Sequence, residues 1–255
     1  MRQSLVRCLD VLGLKDRARR LQTWLGAHGL IHWRPLVPAD DFYECISKTL
    51  ASVKSANGNT SFGDYLEFGV SRGTSTALVY RALEQQGLKD VHLFGFDSFE
   101  GMPTESEGQG WFPGQYHSTL RETQRYLRKE GVDLRRVTLT KGWFKETCNE
   151  NTRSRYSIKK AGLVLIDCDI YSASKEALFF CEPYILDCAA IVFDDWGWSE
   201  KRGEVGQKEA FEEFLASFPS LRAESLAAYR PEARVFLIRR TSGPTTKKPI
   251  APARS

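Results

Sequence analysis

Short apolar runs alternate with amphipathic segments along the chain from residue 62 onward. Five of the runs have the length and content of buried strands: DYLEFGV, VHLFGFD, RVTLTKG, AGLVLIDCDIY and AAIVFDDW. Apolar residues recur at helical spacing in the segments STALVYRALEQQG, RETQRYLRKEG, SKEALFFCEPYI and GQKEAFEEFLASFPS. Strands that alternate with helices indicate βαβ units and a parallel sheet. The last two strands, RAESLAAY and ARVFLIRR, have only a short connection and are predicted to form an antiparallel hairpin.

The two ends of the chain differ from this central pattern. Residues 1–60 are helix-biased, with apolar side chains at helical spacing: Leu5, Leu9, Leu12, Leu21, Trp24 and Leu25. The tail TSGPTTKKPIAPARS has almost nothing to bury. We therefore predict a helical N-terminal cap over 1–60, a main α/β domain over 61–240 and a disordered tail over 241–255.

Composition narrows the class of protein. The 255 residues are 42% hydrophobic and 27% charged, which is typical of a globular protein. A net charge of +4 is too small to predict a nucleic-acid partner, and no apolar run reaches the roughly 18 residues of a membrane helix. Six cysteines without a CxxC pair predict free thiols in a reducing, cytoplasmic compartment, although the basic N-terminus keeps an organellar transit peptide as the alternative.

A glycine-containing turn, LEFGVSRGTST, follows the first predicted strand. Gly69 and Gly73 remove Cβ atoms where the backbone would approach a ligand, and Thr74 or Ser75 would cap the next helix. The spacing E-x-G-x-x-x-G is a poor dinucleotide fingerprint, but it suits a ligand without phosphate. Glu67 is placed to hold an ammonium group. The alternative is an ordinary turn between a strand and a helix.

Two further strand ends carry candidate ligand contacts. Asp97 ends the second strand, where a carboxylate accepts hydrogen bonds from ribose hydroxyls; capping the next turn is its alternative role. Gly142 and Trp143 follow the third strand, and an indole there would stack on a base. The long loop GWFPGQYH contributes His117 as a candidate base, with a plain surface loop as the alternative.

Four carboxylates end the fourth and fifth strands. Asp167 and Asp169 are two residues apart and should point the same way, while Asp194 and Asp195 end the neighbouring strand. Each like-charged pair at ~4 Å costs roughly 1 to 4 kcal/mol, which a hard divalent cation such as Mg²⁺ or Mn²⁺ would remove. The alternatives are helix capping, solvation, protonation, or pairing with one of the cations Lys141, Lys208 and Arg72.

Together these motifs resemble the macrocin O-methyltransferase family. The matching stretches are YLEFGVSRGTST, FGFDSFEGMP, KGWFKET, LVLIDCDIYSAS, IVFDDWGW and GQKEAFEEF, within about residues 62–218. The resemblance implies a Rossmann-like class I methyltransferase fold, in which a seven-stranded, mostly parallel sheet has its last strand antiparallel. It also implies S-adenosylmethionine as methyl donor, Mg²⁺ as cofactor and the hydroxyls of antibiotic sugars as acceptors.

The resemblance further implies a role for each matched residue. The methionine end of the donor would be surrounded by Glu67, Gly69, Ser71 and Gly73. The ribose would be held by Asp97 and Ser98, and the adenine would lie near Gly142 and Trp143. The metal ligands would be Asp167, Asp194 and Asp195. Asp169 would be the base, with His117 as the other candidate.

The sequence thus predicts an O-methyltransferase that uses S-adenosylmethionine and Mg²⁺ on a small hydroxylated acceptor, with a natural-product sugar as one option. The alternatives are a catalytically inactive donor-binding scaffold, an NAD-dependent oxidoreductase and a metal-dependent phosphatase. The apolar N-terminal helices could cap the site or pair two subunits in a homo-oligomer. No nucleic acid or membrane partner is expected.

Overall fold

The computed structural model describes residues 37–58, 60–106, 111 and 113–241, together with five isolated positions at 17, 18, 21, 25 and 30. The predictions for most of residues 1–36 and for the tail beyond 241 lie outside the described residues. The strands are β1 (Asp64–Phe68), β2 (Leu93–Asp97), β3 (Val137–Lys141), β4 (Ala161–Ile166), β5 (Cys188–Phe193), β6 (Leu221–Leu226) and β7 (Arg234–Arg240). The helices are α1 (Ala39–Asn57), α2 (Thr74–Gln85), α3 (Leu120–Lys129), α4 (Phe144–Thr147), α5 (Glu150–Arg155), α6 (Tyr171–Cys181), α7 (Trp196–Glu200) and α8 (Gln207–Ser217).

The strands form one seven-stranded sheet in the order β3-β2-β1-β4-β5-β7-β6. The pairs from β3 to β5 are parallel, whereas β7 is antiparallel to both β5 and β6. The predicted sheet with a reversed last strand and a closing hairpin is therefore confirmed. From β1, the chain adds strands first on one side of the sheet, as β2 and β3, and then on the other side, beginning with β4. Open parallel sheets form a ligand crevice at such a point, outside the carboxyl ends of the strands.

Side chains on each strand alternate between two apolar layers. On β1, Leu66 and Phe68 face the layer that α6 and α8 cover, while Tyr65 faces the layer that α1 and α2 cover. Both central strands β4 and β5 are buried along their whole length. Their near-continuous apolar sequences follow from this cover on both faces.

Helix α1 packs directly on the sheet. Its buried residues Phe42, Ile46, Leu50 and Val53 are three or four positions apart and form one stripe. At its end, the Asn57 side-chain amide donates to the carbonyl of Cys188 in β5 at 3.2 Å. The described part of the predicted N-terminal cap thus contributes to the core, while the boundary at residue 60 stays a prediction.

The described residues also bear on the state of the cysteines and on membrane-spanning helices. The five described cysteines, Cys45, Cys148, Cys168, Cys181 and Cys188, are all free thiols. Within the described ranges, no helix is both long enough and apolar enough to cross a membrane.

The glycines of the first turn are favoured by the protein's own packing, and their close approach to a ligand stays a prediction. Gly69 has a φ of 101°, and a Cβ there would lie 1.7 Å from the carbonyl oxygen of Asp167 beside the end of β4. Gly73 has a φ of 79°, and its Cβ would lie 3.0 Å from a methyl group of Leu127 in α3. Gly69 therefore lets the turns after β1 and β4 come together.

We predict that Gly69→Ala lowers the free energy of unfolding by about 3 kcal/mol or more, because it adds a backbone clash to a left-handed conformation. Gly87→Ala is the matched control, since Gly87 has a φ of 71° with nothing within 4 Å of its Cβ position. The control should cost only about 1 to 2 kcal/mol. Urea denaturation measures both, and equal losses would contradict this account of Gly69.

Candidate active site

A cavity of about 670 Å³ opens at the carboxyl ends of the parallel strands, beside Gly69. Most of the predicted site residues line it: Gly69, Ser71, Asp97, Ser98, Gly142, Trp143, Asp167, Asp169, Asp194 and Asp195. The other three, Glu67, Gly73 and His117, are not among its lining residues. The fold thus brings the predicted donor contacts and the predicted metal ligands into one space.

Asp97 joins the turns after β1 and β2. Its Oδ2 accepts from the backbone N–H of Ser71 at 2.8 Å, and its Oδ1 accepts from the N–H of Phe99 at 2.5 Å. Burial raises the pKa of this carboxyl, and the backbone N–H donors oppose that shift. The predicted turn-capping role is therefore real. Each oxygen keeps a second lone pair, so the same carboxylate can also accept from a ligand.

Glu67 lies beneath the cavity. Both of its oxygens accept hydrogen bonds from the first turn of α2, one from the Ser75 hydroxyl and one from the Thr76 hydroxyl at 2.6 Å. The predicted cap by Thr74 or Ser75 is wrong, because Gly73 precedes the helix and no side chain caps it. Burial raises the pKa of Glu67 from 4.5 to about 7, against the lowering effect of the two hydroxyls.

The end of β3 forms another wall of the cavity. The N–H of Gly142 donates to the carbonyl of Asp97 at 3.0 Å, which fixes the two strand ends together. Trp143 immediately precedes α4 and lines the cavity, while Phe144 also packs edge-on against the core residue Phe68, with ring centroids 5.6 Å apart. Stacking of the Trp143 indole on a base stays a prediction.

The long loop after β2 presents Tyr116 to the cavity instead of the predicted His117. The Ser71 hydroxyl donates to the carbonyl of Tyr116 at 2.9 Å, which ties the loop to the first turn. Burial raises the pKa of Tyr116 to about 12, and the neighbouring carboxylate of Asp169 adds to the rise. Its hydroxyl therefore stays protonated at neutral pH and can donate a hydrogen bond into the cavity.

Three carboxylates meet at the far side of the cavity. Asp167, Asp194 and Asp195 each offer one oxygen, and these oxygens all lie within 4.8 Å of one another. Strand β4 ends at Ile166, so Asp169 reaches the same cavity from a turn, in a left-handed conformation with a φ of 63°. The expected convergence is present, although Asp169 is not one of the three grouped residues.

Desolvation dominates the electrostatics of this cluster. Burial raises the pKa of Asp167 and of Asp195 well above its usual range, and the neighbouring carboxylates raise both further. Burial also raises the pKa of Asp169 to about 7. Oδ2 of Asp195 is buried and has no hydrogen-bond partner in the part of the chain that the structure describes. An all-oxygen group with an unpartnered carboxylate oxygen fits a hard divalent cation.

Arg230 is a cation beside these acids that the sequence analysis did not name. Arg230 lies in the connection between β6 and β7 and forms an ion pair with Asp194. Lys141 instead pairs with Glu100 at 3.3 Å. No motif marks Arg230, although the reversal of β7 brings its connection to the carboxyl end of β5.

An aromatic wall completes the side of the cavity next to the acids. Trp111 of the long loop stacks on Trp198 of α7 with ring centroids 4.9 Å apart, and it contacts the Tyr116 ring at 5.7 Å. Nε1 of Trp198 is buried with no hydrogen-bond partner among the described residues. Lys201 and Glu232 form an ion pair among the lining residues. We call Trp111, Tyr116 and Trp198 the aromatic wall.

A mostly parallel sheet with a reversed last strand, a glycine turn after β1 and acids after β4 and β5 defines a class I methyltransferase architecture. The family model described as Macrocin-O-methyltransferase (TylF) matches residues 44–214, and the chain belongs to this family. The resemblance inferred from the motifs is thereby confirmed.

Individual relatives are distant. The demethyldecarbamoylnovobiocin O-methyltransferase of Streptomyces niveus is 24% identical over 177 residues, which span 65% of this chain and 63% of that enzyme. The solved O-methyltransferase NovP has a TM-score of 0.63 at 22% identity, over 79% of this chain and 80% of its own. TomG from Streptomyces achromogenes has a TM-score of 0.56 at 16% identity, over 87% and 89%. These structural matches confirm the predicted fold.

The buried Glu67 makes stability depend on pH. The unfolded chain loses this proton near pH 4.5, whereas the folded chain keeps it until about pH 7, so folding stability falls as the pH rises between these values. We predict that wild type loses up to about 3 kcal/mol relative to Glu67→Gln across this window. Urea denaturation at several pH values measures the difference, and a pH-independent difference would contradict the prediction.

Proposed function

We propose that this chain is an S-adenosylmethionine-dependent O-methyltransferase that acts, with Mg²⁺, on a hydroxyl group of a small molecule. The observation that carries the proposal is the meeting of Asp97 and the glycine turn with a group of three carboxylates in one cavity. Membership of the macrocin O-methyltransferase family supports it, as does TomG, whose structure is described as a complex with the same donor.

The donor would lie along the carboxyl ends of β1, β2 and β3. It supplies a methyl group that is bonded to a sulfonium sulfur. The acceptor oxygen forms a bond to this methyl carbon while the carbon–sulfur bond breaks, and the sulfur leaves as a neutral thioether. Asp97 would accept from its ribose hydroxyls with the lone pairs that the backbone leaves unused. Gly69 and Ser71 would border its methionine end, and Trp143 would face its adenine. Glu67 would act from below by fixing the first turn of α2.

The metal would be held by Asp167, Asp194 and Asp195. When bound, a divalent cation favours the ionised form of an acceptor hydroxyl and fixes its direction. Asp169 lines the same space and would take the acceptor proton. Without a metal, burial and the Asp194 carboxylate raise the pKa of Asp169 to about 7; a divalent cation bound beside it would lower that pKa and favour the ionised form that accepts a proton.

The acceptor would approach along the aromatic wall. Its apolar face would pack on the indoles, while the Trp198 Nε1–H and the Tyr116 hydroxyl would donate hydrogen bonds to its polar groups. Similar structures are described as a TDP-rhamnose 3'-O-methyltransferase in calicheamicin biosynthesis and as an O-methyltransferase involved in tomaymycin synthesis. A natural-product hydroxyl, including one on a sugar, is therefore the acceptor class that we propose. Free thiols agree with the cytoplasm as its compartment.

We predict that Asp97→Asn weakens donor binding about 10- to 100-fold, because it removes a buried charged acceptor. Calorimetric titration with S-adenosylmethionine measures this, and Asp90→Asn, an exposed carboxylate with the same change, is the control. A parallel titration with NAD⁺ should show no binding. Unchanged donor affinity in Asp97→Asn, or preferential binding of NAD⁺, would count against the proposed donor site.

We predict that Asp195→Asn lowers methyl transfer by about 100-fold or more while the protein stays folded, since it removes a metal ligand and also relieves carboxylate repulsion. Transfer of a radiolabelled methyl group to a panel of phenols, catechols and hexoses is the measurement, made with EDTA and with added Mg²⁺. Full transfer in the presence of EDTA would refute the metal role. Donor binding without transfer to any acceptor would favour an inactive scaffold.

A further inference from the structure

We infer that Arg230 is a built-in counter-cation of the acid cluster, which partly offsets the charges of Asp194 and Asp195 when no metal is bound and thereby lowers the affinity of the site for a divalent cation. Tyr229, the neighbouring residue, has the complementary role of orienting Asp194 as a ligand. The inference rests on the metal site of the proposed function, and it concerns two residues to which neither the motifs nor the comparisons assign a role.

The contacts of Asp194 carry the inference. Its Oδ1 accepts from the Tyr229 hydroxyl, and its Oδ2 accepts from Nη2 of Arg230. The same nitrogen donates to the main-chain carbonyl of Asp194 at 3.0 Å and lies 3.6 Å from Oδ1 of Asp195. Arg230 therefore contacts two of the three grouped carboxylates, while the hydrogen bond from Tyr229 restricts rotation of the Asp194 side chain.

The position of Tyr229 is set by the core. Its ring packs edge-on against Phe42 of α1, with centroids 5.0 Å apart and planes at 87°, and Phe42 is fully buried. The Cys45 thiol of the same helix donates to the carbonyl of Ala227 at 3.4 Å. Helix α1 thus supports the segment that carries both residues, and Tyr229 can lose its hydroxyl without losing its packing.

Charge explains why the two residues should act in opposite directions. Asp194 and Asp195 are buried and both lie near the guanidinium of Arg230, so removing Arg230 leaves the repulsion within the acid cluster less compensated and makes the site more attractive to a divalent cation. Removing the Tyr229 hydroxyl changes no charge but frees Asp194 to turn, which weakens a metal site whose ligand was held in place. A purely structural role for both residues would weaken metal binding in both variants.

The test measures Mn²⁺ binding to the full chain by the loss of the free-ion EPR signal, together with the melting temperature with and without Mn²⁺. We expect Arg230→Met to melt at a lower temperature without metal, to bind Mn²⁺ about 10-fold more tightly, and to gain more melting temperature from Mn²⁺ than wild type does. We expect Tyr229→Phe to bind Mn²⁺ several-fold more weakly. Arg239→Met, which removes an exposed arginine of β7, should match wild type.

The variant Arg230→Lys distinguishes the effect of the positive charge from that of the guanidinium shape. It should bind Mn²⁺ with an affinity within about threefold of wild type, because it keeps the positive charge. If Arg230→Met folds only with Mn²⁺, that result supports the inference; if it does not fold at all, Arg230→Gln takes its place with the same expected tightening. Equal or weaker Mn²⁺ binding after loss of the charge overturns the inference. So does the absence of Mn²⁺ binding from wild type and from Arg230→Met alike. A titration with S-adenosylmethionine on the same samples shows separately whether the donor site of the proposed function stands.

Discussion

The repulsion between buried carboxylates at one edge of the sheet is the constraint on which the site depends. Strands β4 and β5 are adjacent and parallel, with Ile166 paired to Phe193, so the residues that follow them, Asp167 and Asp194, must come together. Asp195 then places a third oxygen within 4.8 Å of theirs. Positive charge close by stabilises the ionised form of such a group, and the protein supplies part of that charge from its own chain.

The antiparallel direction of β7 places Arg230 at the same edge of the sheet as the acids. Because β7 is antiparallel to β5, Arg234 at its start pairs with Phe193 at the end of β5. The connection that precedes β7 therefore lies at the same edge as the acids and brings Arg230 and Tyr229 to Asp194. Helix α1 packs behind this connection through Phe42. A helix that the sequence suggested as a cap thus supports the site from within the core.

Alternation and motif order were enough to predict the strands, the reversed hairpin and the meeting of the acids, because these follow from strand periodicity and from the common edge of parallel strands. Contacts between distant segments were not predictable in this way. The requirement for Gly69 arises from the carbonyl of Asp167, and the hydroxyls of α2 bond to Glu67 instead of capping the helix. Tyr116, which lines the cavity where His117 was expected, has a left-handed backbone conformation that no sequence pattern signals. No sequence motif marks Arg230 either.

The most direct test of the account is a crystal structure of the full chain with Mn²⁺ and S-adenosylmethionine, phased so that the manganese is located by its anomalous scattering. We expect an anomalous peak bound by the carboxylates of Asp167, Asp194 and Asp195. We also expect the donor's ribose to contact Asp97 and its methyl group to point toward the metal. Manganese absent from these carboxylates, or a donor bound outside this cavity, would contradict the account.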